Sequence, residues 1–213
     1  NILADLLKEI KKLPDTSDWL KVVEGWKKKY PLQYKDSGKL KPQYVIEQIY
    51  KITKGDAIIA TEVGQNQMWA AQWYQYNSPR TFISSGGLGT MGFGFPAAMG
   101  VKLGRPDKTV FDIAGDGSIQ MNIQELGTCI ANKINLKIAI LNNGYLGMVR
   151  QWQELFYKRR YSQVKISSPD FVKLADSYGA VGILVTKKEE VAPALKKAIE
   201  TENTVIIDFR VEE

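Results

Sequence analysis

The chain has 213 residues, 44% of them hydrophobic, which is enough for one large domain with its own core. It contains no histidine and one cysteine, Cys129, so histidine-based triads, histidine-ligated zinc and internal disulfides are excluded within it. A net charge of +6 invites a nucleic-acid reading, but the lysines are scattered over helix-like segments and no nucleic-acid motif accompanies them. No apolar run reaches the roughly 18 residues of a membrane span, and no secretory signal is visible. A cytoplasmic protein is the expectation. Because the chain begins with Asn1 rather than Met, a processed product or a piece of something longer is also expected.

The first 30 residues predict two amphipathic helices. Leu3, Leu6, Leu7, Ile10 and Leu13 recur at helical spacing, as do Trp19, Val22, Val23, Trp26 and Tyr30. Pro14-Asp15-Thr16-Ser17 separates them, with polar residues able to cap the second. A loop follows over 31–41. From Pro42 the pattern alternates. Helices are predicted over 42–54, about 95–103, 119–131, 146–157, from Ser168-Pro169-Asp170 to a left-handed cap at Gly179, and 189–200. Strands are predicted over 57–63, 81–84, 109–114, 137–141, 181–185 and 204–211. Apolar strands alternating with helices predict an α/β fold: a doubly wound, mainly parallel six-stranded sheet covered by helices on both faces. Residues 1–40 are expected to be the tail of a preceding domain with its linker, and 41–213 the main domain.

In such a sheet ligands bind beyond the carboxyl ends of strands, and two of those ends carry chemistry. At Ile113-Ala114-Gly115-Asp116-Gly117-Ser118 a strand runs out and a carboxylate appears between two glycines just before a helix. The glycines permit close backbone approach, and the helix start offers N–H groups to an anion. At Leu141-Asn142-Asn143-Gly144-Tyr145 an amide oxygen follows the next strand, 27 positions after Asp116. One carboxylate and one amide oxygen suit a magnesium ion that takes its remaining ligands from a diphosphate and water. Each half alone reads as a turn; the pair at neighbouring strand ends is far more specific. The combination resembles the signature of thiamine-diphosphate enzymes, Gly-Asp-Gly followed after some 25 to 30 residues by Asn-Asn. That resemblance implies magnesium ligands from the side chains of Asp116 and Asn143 and the backbone carbonyl of Tyr145.

A second segment, Ser84 to Pro96, packs five glycines into nine residues yet carries Leu88, Met91 and Phe93, unlike a flexible linker. A dinucleotide Gly-x-Gly-x-x-Gly can be picked out of it, but the strand–turn–helix placement and a ribose-binding acid are missing. This segment, with 62–72, 115–126 and 142–152, resembles the large subunits of the acetolactate synthase (acetohydroxyacid synthase) family. Gly-Gly-Leu-Gly-Thr-Met-Gly-Phe-Gly and Leu-Gly-Met-Val-Arg-Gln-Trp are its best markers, and it runs over essentially the whole chain.

The resemblance implies roles by position. Gly64, Gln65 and Asn66 would contact the diphosphate, Asn66 standing where the family commonly has histidine and still able to donate a hydrogen bond. Gly115, Gly117 and Ser118 would hold the diphosphate from the other side, with Asn143 and Tyr145 beside the metal. Gly89 would accept from the aminopyrimidine and Met91 would brace the bent cofactor. Leu146, Gly147 and Met148 would line the thiazolium side. Met148 and Trp152 would face substrate, Trp152 favouring 2-ketobutyrate and touching herbicides. The implied activity is decarboxylation of pyruvate and its joining to a second 2-keto acid, pyruvate or 2-ketobutyrate. The products would be 2-acetolactate or 2-aceto-2-hydroxybutyrate, on the route to branched-chain amino acids. FAD, a homo-oligomer (at least a dimer) and a regulatory small subunit are implied for the whole enzyme. The activating glutamate would come from a domain outside this chain, since neither Glu62 nor Glu125 sits in its position, so no catalytic residue and no activity are expected of the chain alone. The segment 144–161 is expected to be mobile without ligand. Pyruvate oxidase, glyoxylate carboligase, a 2-keto acid decarboxylase, or an assembly module of such an enzyme are the alternatives.

Overall fold

The computed structural model describes residues 2–212 and divides the chain into two units, 1–35 and 36–213. The first holds α1 (Ile2–Glu9) and α2 (Ser17–Lys29). Leu13 lies beyond the end of α1. Thr16 occupies the N-cap of α2 without a side-chain bond, and Asp15 instead accepts from the Ser17 N–H at 2.9 Å. Trp19 and Trp26, two turns apart, meet edge to face with centroids 5.6 Å apart. Neither helix buries a residue, so the apolar stripes find no core within this unit.

The second unit begins ahead of the boundary expected at residue 40. Asp36 takes a bond from Lys188, Ser37 donates to Glu212, and Leu40 is buried in the core. Its elements are α3 (Pro42–Thr53), β1 (Ile58–Thr61), α4 (Gln65–Trp73), β2 (Phe82–Ser84), α5 (Gly94–Gly104), β3 (Val110–Gly115), α6 (Leu126–Ala131), β4 (Lys137–Asn142), α7 (Gly147–Phe156), α8 (Phe171–Tyr178), β5 (Val181–Val185), α9 (Val191–Glu200) and β6 (Val205–Arg210). All six strands are parallel, in the order β2-β1-β3-β4-β6-β5. The six predicted strands are the six observed.

Period-two alternation builds two cores. Ile59, Phe111, Ile113, Ala139, Leu141, Ile207 and Phe209 pack under α3, α4 and α9. Ile58, Ala60, Val110, Ala114, Ile138, Ile140 and Ile206 pack under α5, α6 and α8. Central strands buried on both faces read as continuous apolar runs for this reason. At α8 the predicted signals hold: Asp170 accepts from the N–H groups of Val172 and Lys173, both at 3.1 Å, and Gly179 closes the helix at φ 80.

Two predictions need correction. The helix expected over 119–131 is two 3₁₀ turns, Ile119–Met121 and Ile123–Glu125, and only then α6. Asn122 causes the break: its side chain reaches away to donate to the Gly92 carbonyl at 2.6 Å, and its φ of −134 leaves helical space. Conversely, α4 was not predicted, because its buried positions are Asn66 and Ala70, an amide and a methyl rather than an apolar stripe.

Candidate functional site

Chain order reverses between β1 and β3: from β1 the path moves out to β2 and then returns past β1 to β3. Beyond the carboxyl ends of β1, β3 and β4 lies a cleft of about 320 Å³. That is the position the doubly wound topology assigns to ligands.

Each wall follows from local sequence. After β1, Gly64 turns the chain into α4 at φ 131, a conformation that favours glycine. No side chain caps α4, so the N–H groups of its first turn are left for a ligand. The start of α7 likewise has no side-chain cap and lines the same cleft through Leu146, Gly147, Met148 and Val149. Two uncapped helix starts therefore converge where an anion would sit.

From β3 come Gly115, Asp116, Gly117 and Ser118. Asp116 is buried. Burial pushes its carboxyl above the usual range, against the pull of the Ser168 hydroxyl, which donates to Oδ2 at 3.0 Å, and of the Asn143 and Gly144 backbone N–H groups. Gln120 holds the Asp116 carbonyl at 2.7 Å. Gly117 leaves room that a Cβ would take up, 2.9 Å from Leu146 Cδ2 and 3.0 Å from Ile166 Cδ1. From β4 comes Asn143, whose Oδ1 accepts from the Tyr145 N–H at 3.0 Å and so shapes the turn. The turn is pinned by Leu146 N–H to the Val164 carbonyl at 2.8 Å and Ile166 N–H to the Gly144 carbonyl at 3.0 Å.

The donor set is one carboxylate, one amide oxygen and nearby carbonyls, all hard oxygen ligands. That fits magnesium held partly by a bound diphosphate. Among the described residues no group of three or more His, Cys, Asp or Glu side chains could hold a metal without such help.

The structure brings together Gly64, Gln65, Asn66, Gly89, Met91, Gly115, Asp116, Gly117, Ser118, Asn143, Tyr145, Leu146, Gly147 and Met148 around the one cleft. It does not bring Trp152 there. That ring is 53% exposed on α7, packs on Phe156 at 4.9 Å, and borders a separate surface depression with Tyr157 and Arg160. Asn66 differs in detail from the expectation, since its amide nitrogen donates to the Ile113 carbonyl at 2.9 Å and ties α4 to β3. Gln65 spans the cleft mouth, donating to Gln151 Oε1 on α7 at 2.8 Å.

Sequence reasoning missed several supports. Ser168 was read only as a helix start. Val63, Gln67, Met68 and Trp69 line the cleft because α4 is a helix there. Asp208 on β6 accepts from Asn142 Nδ2 at 3.0 Å and pairs with Arg210 at 2.8 Å, bracing the strand end that carries Asn143. A lone acid inside the apolar run of β6 was the available signal.

Residues 62–209 match the family described as thiamine pyrophosphate enzyme, C-terminal TPP binding domain. The chain is 47% identical over 221 residues to an acetolactate synthase large subunit of Haemophilus influenzae, and 47% identical over 205 residues to the acetolactate synthase isozyme 3 large subunit of Escherichia coli. It is 51% identical over 201 residues to an acetolactate synthase large subunit of Buchnera aphidicola. These alignments cover 100%, 94% and 92% of this chain but only 39%, 36% and 35% of the three relatives.

Proposed function

The chain belongs to the thiamine pyrophosphate enzyme family, as its C-terminal TPP-binding domain, and from that membership we propose that it is the cofactor-anchoring domain of an acetolactate synthase large subunit. The observation that carries this reading is the single cleft lined by every residue expected to touch cofactor or metal. Asp116 and Asn143 through their side chains, and Tyr145 through its carbonyl, would hold Mg²⁺. The glycines at 64, 115 and 117, with Gln65, Asn66 and Ser118, would receive the diphosphate, favoured by the two uncapped helix starts. Met91 and Gly89 would meet the cofactor's other ring, and Leu146, Gly147 and Met148 would close the apolar side. When bound, thiamine diphosphate supplies the electron sink for decarboxylation of a 2-keto acid.

The reading extends to pyruvate and 2-ketobutyrate as substrates and to 2-acetolactate or 2-aceto-2-hydroxybutyrate as products. It also includes FAD, a homo-oligomer and a regulatory small subunit in the whole enzyme. Two features support a partner. Among the described residues lining the cleft Asp116 is the one carboxyl, so a proton-relaying acid for the cofactor must come from elsewhere. On α7, Val149, Trp152, Leu155 and Phe156 are all exposed beside the cleft, a surface suited to cover by protein.

Titration calorimetry tests the reading. The folded chain should bind thiamine diphosphate in magnesium buffer and lose it with chelator. It should form no acetolactate from pyruvate until a complementary N-terminal half is added. A folded chain that ignores the cofactor overturns the proposal. So does acetaldehyde or acetyl phosphate as the main product of the assembled enzyme.

A further inference from the structure

Beneath the cleft, on the face covered by α5, two carboxyl groups that the mechanism does not use are buried together. Asp112 sits on β3 opposite Ala60 of β1, and Glu62 follows two residues after Ala60, so both project to the same side of the sheet. Neither is exposed to solvent. Their surroundings are otherwise apolar, with Ala60, Phe95, Ala98 and Ala114 in the adjoining core.

The two groups are treated differently by the backbone. Glu62 accepts from the Gly92 N–H at 2.6 Å through one oxygen and from the Phe95 N–H at 2.9 Å through the other. Burial pushes the Glu62 carboxyl above its usual range, but the backbone N–H groups of Phe95, Gly92 and Gly94 pull against it and make Glu62 the better placed of the two groups to carry charge. Asp112 receives no hydrogen bond at either oxygen among the described residues. A buried carboxylate with no donor is costly, and a neighbouring negative charge makes it more so. Burial first, and then the Glu62 charge, push the Asp112 carboxyl well above its usual range, and no lysine or arginine acts on either group. The stable arrangement is one charge and one proton: the charge on Glu62, the proton on Asp112. Gly94 packs beside the pair, its missing Cβ site 2.6 Å from Asp112 Oδ1 and against the Glu62 backbone nitrogen.

We propose that Asp112 is an un-ionised acid that donates its O–H to Glu62, and that the pair is a buried clamp positioning the segment from Gly89 to Phe95 against the cleft. Asp112 is then a positioning residue. It holds Glu62, Glu62 holds the Gly92 and Phe95 N–H groups, and these hold the turn that carries Gly89 and Met91 into the cleft. That the cleft takes thiamine diphosphate rests on the proposed function; the clamp itself does not.

The sign of the pH effect follows. The folded chain keeps a proton on Asp112 that the unfolded chain releases above its ordinary midpoint near ~4. Stability from this group is therefore fully present at acid pH and falls as pH rises, by up to about tenfold in the unfolding constant per pH unit, until the folded group also ionises. Asn is a neutral donor of the same shape, so Asp112→Asn should remove that fall while keeping the clamp.

Three measurements on the full chain test this. Infrared difference spectra at neutral pH should show a protonated-carboxyl band in the wild type that Asp112→Asn abolishes. Denaturant titrations should show Asp112→Asn gaining on the wild type as pH rises from about 4. Amide exchange at Gly92 and Phe95 should be native-like in Asp112→Asn and at least tenfold faster in Asp112→Ala. Absence of the band, a pH-independent stability difference, or unchanged exchange in Asp112→Ala each overturns the clamp. If the wild type binds no thiamine diphosphate, the proposed function fails while all three readouts still decide this inference.

Discussion

Gly94→Ala isolates the close approach of α5 to the end of β1. The new methyl carbon would lie 2.6 Å from Asp112 Oδ1 and would also meet the backbone at Thr61 and Glu62. Carbon and oxygen need more than ~3 Å, and strand backbone in mid-sheet cannot give way as a side-chain tip can. Relief requires α5 to move outward, which pulls the Gly92 and Phe95 N–H groups off Glu62. Overpacking of this kind costs about 1–3 kcal/mol, and a loosened hydrogen bond to a buried carboxylate adds about 1.5–3 kcal/mol. Against this, alanine gains at most ~1 kcal/mol in helix propensity. A net loss of roughly 3 kcal/mol is expected, lowering Tm by about 6–12 °C for a chain of this size. Gly100, on the same helix with nothing within 4 Å of its Cβ site, is the internal control, and Gly100→Ala should gain about 0.5–1 kcal/mol. Calorimetry of both variants reads the difference. A Gly94→Ala protein within ~1 kcal/mol of wild type would refute the packing argument.

Asp116→Ala should leave the circular dichroism spectrum native while abolishing magnesium-dependent binding of thiamine diphosphate by titration calorimetry; retained binding would remove Asp116 from the metal site. Gln151→Ala frees the Gln65 amide now donated to it at 2.8 Å. If Gln65 must turn to the diphosphate, affinity should rise about fivefold, the worth of one hydrogen bond of ~1 kcal/mol. Weaker binding would show that Gln65 serves α7 rather than ligand. Asp170→Ala strips two N–H groups of their cap at the start of α8 and should cost about 1 kcal/mol in denaturant titration; no loss would mean that water replaces the cap.

Local signals were strong where a residue's role is met by its neighbours in sequence. The strand at Val110–Gly115 is an apolar run ended by glycine, and Asp170 and Gly179 bracket α8 with a cap at each end. The candidate site was legible for the same reason. Gly115 to Ser118 and Asn142 to Tyr145 are short loops at strand ends, where residue type follows directly from turn geometry and ligand chemistry.

What sequence could not carry was decided by contacts between distant segments. The helix expected through Asn122 breaks because Gly92, thirty residues away, draws its side chain off. The partnership of Asp112 and Glu62 exists because β1 and β3 pair in one register, and no periodicity announces it. Trp152 matches a substrate-facing motif, and packing places it at a surface depression that shares Val149 with the cleft rather than in the cleft lining itself. Alternation, caps and glycines specified the elements and their order, since these depend on interactions within a few residues. Which buried polar groups face each other depended on packing the sheet and its helices, because burial is a property of the assembled layers and not of any segment alone.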